Sequence, residues 1–155
     1  MGSAESEVLA ANEAFYAAFS RRDAAAMDGL WAAVAPVACI HPGWDVLTGR
    51  EEVMESWRAI LESPSAPRIR CNRPTALVLG EAAFVVCLEE ISGSAAGTEL
   101  IATNVFAREE GAWKMVHHQA GPVAGTRRRR HDSMVAGETP ICGSDGLQSE
   151  LRSPT

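Results

Sequence analysis

Apolar and polar positions follow a helical period in the first part of the chain and a strand period in the second. Between residues 5 and 20 apolar side chains recur every three or four positions, which predicts an amphipathic helix. A second helix is predicted after Asp23, a residue type that caps helices. Its apolar positions continue through Val34 until Pro36 ends the pattern.

A short strand and a third helix are predicted next. Residues 37–41 form an apolar run between two prolines that is too short for a helix and indicates a strand. Thr48 and Glu51 have the spacing of a capping box, in which each side chain binds a free backbone N–H at the start of a helix. We therefore expect a third helix from about Gly49 to just before Pro64.

From Arg68 onward the spacing of apolar residues is typical of strands, and the last two strands are joined by the turn Glu109-Glu110-Gly111. Four strands are predicted in sequence: the first includes Ile69, Cys71 and residues 76–79, and the others are 82–88, 100–107 and 113–120. Successive strands of this kind predict an antiparallel meander covered by the helices on one side. The fold class is therefore α+β, in the form of a roll.

Composition limits the domain count and the partners. A chain of 155 residues that is 46% hydrophobic is sufficient for one domain with a single core. A net charge of -6 argues against general nucleic-acid binding, which depends on clustered positive charge. Residues 124–155 are expected to be a disordered tail. Its arginine run, Arg127–Arg130, is either a contact for nucleic acid or an acidic partner, or a solvated segment.

The cysteines and the N-terminus indicate a cytoplasmic protein. Cys39, Cys71, Cys87 and Cys142 form no C-x-x-C pair, and the acidic N-terminus is unlike a signal peptide, so we expect reduced thiols. No segment approaches the roughly 20 apolar residues that span a membrane. We expect no metal, because the histidines lack ligand spacing, and no cofactor.

The order of elements resembles a known superfamily, together with the segments HPGWDVLTGREEVMESW and TNVFAREEGAWKMVHHQAGP. Residues 5–123 resemble the SnoaL-like branch of the nuclear transport factor 2-like superfamily. The resemblance implies a cone-shaped roll, in which three N-terminal helices cover a curved antiparallel sheet. It also implies a pocket at the open end of the cone and a homodimer joined through the sheet. The superfamily contains both enzymes and non-catalytic proteins, so the resemblance specifies fold more closely than function.

The strand period assigns the side chains of the last strand to two faces. Trp113, Met115, His117 and Gln119 are expected on one face, and Lys114, Val116, His118 and Ala120 on the other. The two adjacent histidines therefore point in opposite directions. Matching the family pattern places His118 on the pocket side, beside Asn104 and Phe106 of the preceding strand.

Two histidines are the candidate catalytic residues. His41 precedes Pro42 at a place that resembles the aspartate–proline pair of ketosteroid isomerase, and an imidazole serves as acid or base near neutral pH. The departures are that Phe15 replaces the tyrosine of the first helix and that the strand carrying Asn104 has no carboxylic acid. The alternatives are that His41 only bonds the following turn and that His118 is a core histidine.

The candidate ligand-binding residues are mostly aromatic. They are Phe15, Trp31, Trp44, Trp57, Asn104 and Phe106. Trp31 and Trp57 have the helical spacing of core residues as well. Trp44 lies in a Pro-Gly turn, which favours the mouth of a pocket.

Two functions are consistent with these patterns. The first is binding of a small hydrophobic molecule, with a proton-transfer reaction such as isomerisation, cyclisation or dehydration. The second is a non-catalytic dimeric association or ligand-sensing module. A pocket filled by aromatic side chains favours the second, and titratable groups joined inside a cavity favour the first.

Overall fold

The computed structural model describes residues 3–92 and 98–123. The elements, in chain order, are α1 (Ala4–Arg21), α2 (Ala24–Leu30), β1 (Ala38–Ile40), β2 (Leu47–Thr48), α3 (Arg50–Glu62), β3 (Arg68–Leu79), β4 (Ala82–Ser92), β5 (Thr98–Glu109) and β6 (Ala112–Pro122). The predicted tail, residues 124–155, lies outside the described residues, as does its arginine run.

The described strands form one sheet in the order β2-β1-β6-β5-β4-β3. Strands β3 to β6 are an antiparallel meander, as predicted. Strand β1 runs parallel to β6, with Cys39 beside His118, and pairs with the two-residue β2, which the sequence pattern does not predict. The α+β class, with three helices and a curved antiparallel sheet, is confirmed.

The second helix is shorter than predicted. Asp23 caps it as expected, with its side chain accepting a backbone N–H at 2.9 Å. The helix nevertheless ends at Leu30 and does not continue to Pro36. Trp31 has extended backbone and forms a bridge with Met115 of β6.

The carboxylate of Glu109 holds the segment that follows α2. It accepts the backbone N–H groups of Ala33, Val34 and Ala35 at 2.7, 2.8 and 3.1 Å. These donors are therefore bound to the β5–β6 hairpin and not to a continuing helix. Val34, which the pattern assigns to the apolar stripe, is 87% exposed as a result.

The predicted capping box of the third helix is wrong. Gly49 precedes the helix with a φ of 85° and provides no side-chain cap. The Thr48 N–H donates to Glu52 at 2.9 Å, not to Glu51. A capping box needs an extended N-cap residue with a side-chain acceptor, and glycine with a positive φ has neither property.

A β-bulge in β6 changes which side chains face the core. Phe106 pairs with Met115, and the preceding residue of β5 pairs with His117, so Val116 is an extra residue. One extra residue reverses the alternation of faces. Met115 is therefore buried on the same side as His118, and its predicted place on the opposite face is wrong.

The pairing of β3 with β4 has an irregularity that the sequence pattern does not predict. The register shifts between Asn72 and Thr75, where Arg73 has a φ of 51°. The irregularity breaks the alternation that sequence reasoning depends on. Strand β3 is also an edge of the described sheet, and α1 packs against it.

The core between the helices and the sheet contains polar side chains as well as apolar ones. The buried polar residues among those described are Asn12, His41, Ser56, Glu89, Asn104 and His118. Buried polar groups are costly unless they are hydrogen-bonded. Their partners therefore identify the part of the core where chemistry is concentrated.

Candidate functional site

A groove of about 700 Å³ lies between α1 and the edge strand β3, and we call it the α1–β3 groove. Its lining includes Leu9, Asn12, Tyr16, Ile69, Arg70 and Cys71. Eight of the lining residues are on α1, because positions three and four apart share a face of the helix. The lining combines apolar side chains such as Leu9 and Ile69 with polar ones such as Arg70, and Asn12 and Tyr16 extend from it into the core.

A buried polar network extends from this groove into the core. His118 Nδ1 is 2.6 Å from Asn104 Oδ1, and Asn104 Nδ2 donates to Asn12 Oδ1 at 2.7 Å and to the Tyr16 hydroxyl at 3.2 Å. The Tyr16 hydroxyl donates to Glu89 Oε1 at 2.8 Å. Because the amide nitrogen of Asn104 faces α1, its oxygen accepts from His118, whose proton is therefore on Nδ1.

The elements of the fold explain why these five residues meet. Asn12 and Tyr16 are four residues apart on α1 and lie on the face that packs against the sheet. Asn104 and His118 are directly opposite one another in the β5–β6 ladder. Glu89 is on the adjacent strand β4, on the inward face. The network therefore joins one helix to three neighbouring strands.

Burial disfavours charge at the acidic end of the network. Glu89 is 2% exposed, and burial raises the pKa of its carboxyl group above the ordinary value. Burial, with the nearby Glu89 as a second cause, also raises the pKa of the Tyr16 hydroxyl. Desolvation favours the uncharged form of each group. Both side chains are therefore biased toward their uncharged, hydrogen-bonding forms.

Burial has the corresponding effect on the two predicted catalytic histidines. It lowers the pKa of His118 to about 3, with the nearby His41 as the second cause. It lowers the pKa of His41 to about 4. Both imidazoles are neutral at neutral pH, because each pKa lies far below 7.

His41 is bound to the helical layer. Its Nε2 is 2.9 Å from Ser56 Oγ, and Ser56 donates its own proton to the Val53 carbonyl at 2.7 Å. The imidazole therefore donates from Nε2. The Trp44 and Trp57 rings pack edge-on against it, with ring centroids at 5.0 and 4.7 Å.

Four of the predicted ligand-binding aromatics are buried, and three of them have rings in contact. Phe15 and Trp57 are in edge contact at 5.4 Å, and Trp31 lies 6.4 Å from Trp57. Phe106 is 2% exposed. Trp57 also contacts His118 at 5.5 Å and so touches both histidines.

The remaining predicted ligand-binding residues have different environments. Asn104 is fully buried and is a member of the polar network. Trp44 is 51% exposed beside His41. The Nε1 donor of Trp57 is buried and has no hydrogen-bond partner among the described residues.

Sequence reasoning did not identify the acidic part of the network. Three alternate residues of β4 point to the same inward face and are buried: Val85, Cys87 and Glu89. A carboxyl group on an apolar inward face is the signal that would have identified Glu89. The tyrosine of the first helix was expected at the position of Phe15. Tyr16, the next residue, is also buried, so its hydroxyl reaches the core.

The described part of the chain has neither a metal-binding cluster of side chains nor a helix able to cross a membrane. No group of three or more His, Cys, Asp or Glu side chains in residues 3–92 and 98–123 is arranged to hold a metal ion. None of the helices in that part of the chain has the length and apolar character needed to cross a bilayer.

The fold and the network define a class, an α+β cone with a helix-covered groove beside its sheet. The chain belongs to the SnoaL-like domain family, whose model matches residues 8–124. Members of this fold family often bind small ligands or are enzymes. The family assignment and the geometry therefore agree on the kind of fold and leave the particular activity open.

Solved structures with substantial identity support this assignment. A proposed dehydratase of the nuclear transport factor 2-like family from Streptomyces avermitilis is 36% identical, with a TM-score of 0.70; the match covers 77% of this chain and 96% of that one. A proposed calcium/calmodulin-dependent protein kinase type II association domain from Thiobacillus denitrificans is 32% identical, with a TM-score of 0.66. That match covers 75% of this chain and 94% of the other.

A curated relative is the F-box protein SKIP8 of Arabidopsis thaliana. It is 26% identical over 113 residues, which are 73% of this chain. The chain spans 48% of the length of that protein.

Proposed function

We propose that this protein binds a small, mostly apolar molecule in the α1–β3 groove and hydrogen-bonds the polar group of that molecule through Asn12 and Tyr16. The observation that carries the proposal is that these two groove residues are also members of the buried polar network. The proposed site differs from the aromatic pocket predicted from the sequence, whose rings pack against one another.

The chemistry of the groove supports a neutral ligand with one oxygen. Leu9 and Ile69 provide apolar area, which favours burial of a hydrophobic body. The raised pKa values of Tyr16 and Glu89 disfavour negative charge at the inner wall. A carbonyl or hydroxyl group is bound at such a wall with a smaller desolvation cost than a charged group.

A fluorescence titration with N-phenyl-1-naphthylamine, an uncharged apolar probe, tests the proposal. The variant Leu9→Trp fills the groove, and Leu77→Trp adds the same ring at a position that is 42% exposed on the sheet. We expect saturable binding to the wild type and to Leu77→Trp, and a loss of at least about tenfold in affinity for Leu9→Trp, which is about 1.4 kcal/mol. Equal affinities for the two variants would refute binding in the groove.

A proton-transfer reaction is a second proposal for the same protein. The supporting observation is that the neutral imidazole of His118 and the carboxyl group of Glu89, whose pKa is raised by burial, belong to one hydrogen-bonded network. Such groups are suited to isomerisation, cyclisation or dehydration, in which a proton is removed at one atom and delivered at another.

The variants His41→Ala and His118→Ala, assayed for probe binding and for turnover separately, test the proton-transfer proposal. Candidate substrates are those that native mass spectrometry finds bound to the purified protein. We expect turnover to fall by at least about a hundredfold in the variant that lacks the proton-transfer group, with binding retained. Unchanged turnover in both variants would remove the two histidines from the mechanism.

The alternative function is that of a non-catalytic association module. The sequence identity of this chain to a proposed kinase association domain favours this alternative. Exposed apolar side chains on the sheet support a homodimer through that surface, with Leu77, Leu79 and Ile101 at 42%, 66% and 55% exposure. Light scattering of Ile101→Arg should then show a monomer where the wild type is a dimer. Val34→Arg, at the exposed site after α2, is the matched control, and dimers of both variants would contradict the proposed interface.

A further inference from the structure

Two thiols lie beside the acidic end of the polar network, and one of them lines the α1–β3 groove. Cys71 is half-buried on β3 in the groove, whereas Cys87 is buried on β4. Asn12 Nδ2 donates to Cys71 Sγ at 3.6 Å, and Tyr16 Oη is 3.2 Å from Cys87 Sγ. A nucleophilic atom, an amide donor and a phenol thus meet at one place in the groove.

The surroundings of Cys71 favour its thiolate. The neighbouring Cys87 thiol is the largest cause that lowers the pKa of Cys71 below its ordinary value, and the amide of Asn12, 3.6 Å from the sulfur, acts in the same direction, while burial opposes them. Cys87 shows the opposite behaviour, because its hydrogen bond to Cys71 raises its pKa. Donors that stabilise a negative sulfur make a cysteine more reactive when it remains accessible.

We propose that the ligand of the α1–β3 groove is an α,β-unsaturated carbonyl compound and that Cys71 adds to it covalently, an inference that rests on the proposed ligand-binding function. Cys71 Sγ forms a bond to the β-carbon, and the electron pair of the carbon–carbon π bond moves to the α-carbon and the carbonyl oxygen. The α-carbon then takes one proton from water, which replaces the proton that the thiol released. The net change is addition of S–H across C=C, without oxidation or reduction.

The groove supplies groups for each part of such a ligand. Leu9 and Ile69 contact its apolar body, and Cys71 is on the same wall of the groove as Ile69 because the two are two residues apart on β3. Asn12 and Tyr16 are the hydrogen-bonding groups beside the sulfur. A hydrogen bond to the carbonyl oxygen stabilises the negative charge that develops there during addition.

Intact-protein mass spectrometry with benzylideneacetone, an apolar aryl enone, tests the inference. The background variant Cys142→Ser removes the thiol outside the described residues. We expect one adduct per chain, mapped to Cys71 by tandem mass spectrometry of the digest, formed about tenfold faster than with glutathione at pH 7. Cys71→Ser should abolish the adduct, and Cys87→Ser should slow it.

Benzylacetone, the saturated analogue, separates the inference from the function on which it depends. It binds without reacting, so its thermal shift reports groove binding alone, and a saturating amount should slow the adduct. A thermal shift without a Cys71 adduct would overturn the covalent step and leave the ligand-binding proposal standing. An adduct at another cysteine, a rate no higher than that of glutathione, or a rate that benzylacetone does not change would each overturn the inference.

Discussion

The core desolvates the ionisable residues of the polar network and disfavours their charged forms. His118 and Glu89 are ionisable side chains in the interior of the sheet, with partners that satisfy their hydrogen bonds. Their pKa values move in the directions that remove charge, downward for the imidazole and upward for the carboxyl group. The two residues therefore make opposite contributions to the pH dependence of stability.

Replacing His118 should change how stability responds to acid. Its pKa is about 3 in the folded protein and about 6.5 in the unfolded chain, so only the unfolded chain binds this proton between those values. The free energy of unfolding should fall as pH falls through this window, by up to about 1.4 kcal/mol per pH unit from this group. Urea unfolding of His118→Gln should show a smaller dependence on pH than the wild type.

The adjacent histidine provides the control for this measurement. His117→Gln removes an imidazole from the same strand at a position that is only half-buried. If the wild type and His118→Gln lose stability equally per pH unit between pH 6.5 and 4, the imidazole of His118 is not a buried neutral group.

The variant Glu89→Gln should be more stable than the wild type, and the difference should grow as pH rises. The folded pKa of Glu89 is raised, so its contribution to stability is present at low pH and is lost as pH increases toward the folded pKa. Glutamine keeps a carbonyl oxygen for the Tyr16 hydroxyl and does not ionise. The stability gained over the wild type should be small at pH 4 and should increase toward pH 8 in thermal unfolding.

Glu90→Gln is the matched control, since Glu90 is exposed on the opposite face of β4 and contacts Asn72 at 3.3 Å. If Glu89→Gln gains the same stability over the wild type at pH 4 and at pH 8, the carboxyl group of Glu89 does not have the raised pKa. The same conclusion follows if Glu89→Gln and Glu90→Gln gain equal stability.

At the residue scale, the sequence identified the members of the network that occupy expected family positions. Asn104 and His118 were found in this way, and both are buried in the structure. Asn12 and Glu89 were not found, because each is an ordinary polar residue until the packing of α1 on β4 is known. Burial of a particular carboxyl group is a tertiary property that local pattern does not contain.

Backbone conformation decides how the helices begin and end. Gly49 precedes α3 with a φ of 85° and a ψ of 148°, a region that side chains other than glycine rarely adopt. Gly29 lies inside α2, with open space where a Cβ would be. The same substitution should therefore have opposite effects at the two glycines.

Gly29→Ala should increase the free energy of unfolding by about 1 kcal/mol, because alanine favours a helix interior. Gly49→Ala should decrease it by about 1 to 3 kcal/mol, because the backbone would be strained. Chemical denaturation of the two variants measures both effects. Effects of the same sign would show that the backbone at one of the two positions differs from the one described.

At the scale of elements, sequence pattern predicted the order of helices and strands well and their irregular points poorly. The hairpin of β5 and β6 and the cap at Asp23 were predicted from local chemistry. The bulge at Val116 and the early end of α2 were not, because they depend on strand register and on Glu109, which is distant in sequence. A bulge shifts the alternation of side chains between the two faces of a strand, and so changes which residues reach the core.

The whole molecule combines a cone-shaped fold with a groove at one edge of its sheet. The sequence predicted the α+β architecture because helical and strand periods are separated along the chain. It did not predict a groove at the edge strand, because the packing of α1 on β3 joins segments that are distant in sequence. Phe15, Trp31 and Trp57, which the sequence assigned to a ligand pocket, are buried with their rings in contact.

The most direct test of the central claim is an NMR titration of the backbone amides with N-phenyl-1-naphthylamine. The account predicts the largest shift changes at residues 6–20 of α1 and 69–74 of β3, which border the groove. It predicts small changes at the exposed positions Leu79 and Ile101. Changes concentrated at those exposed positions, with none along α1, would contradict it.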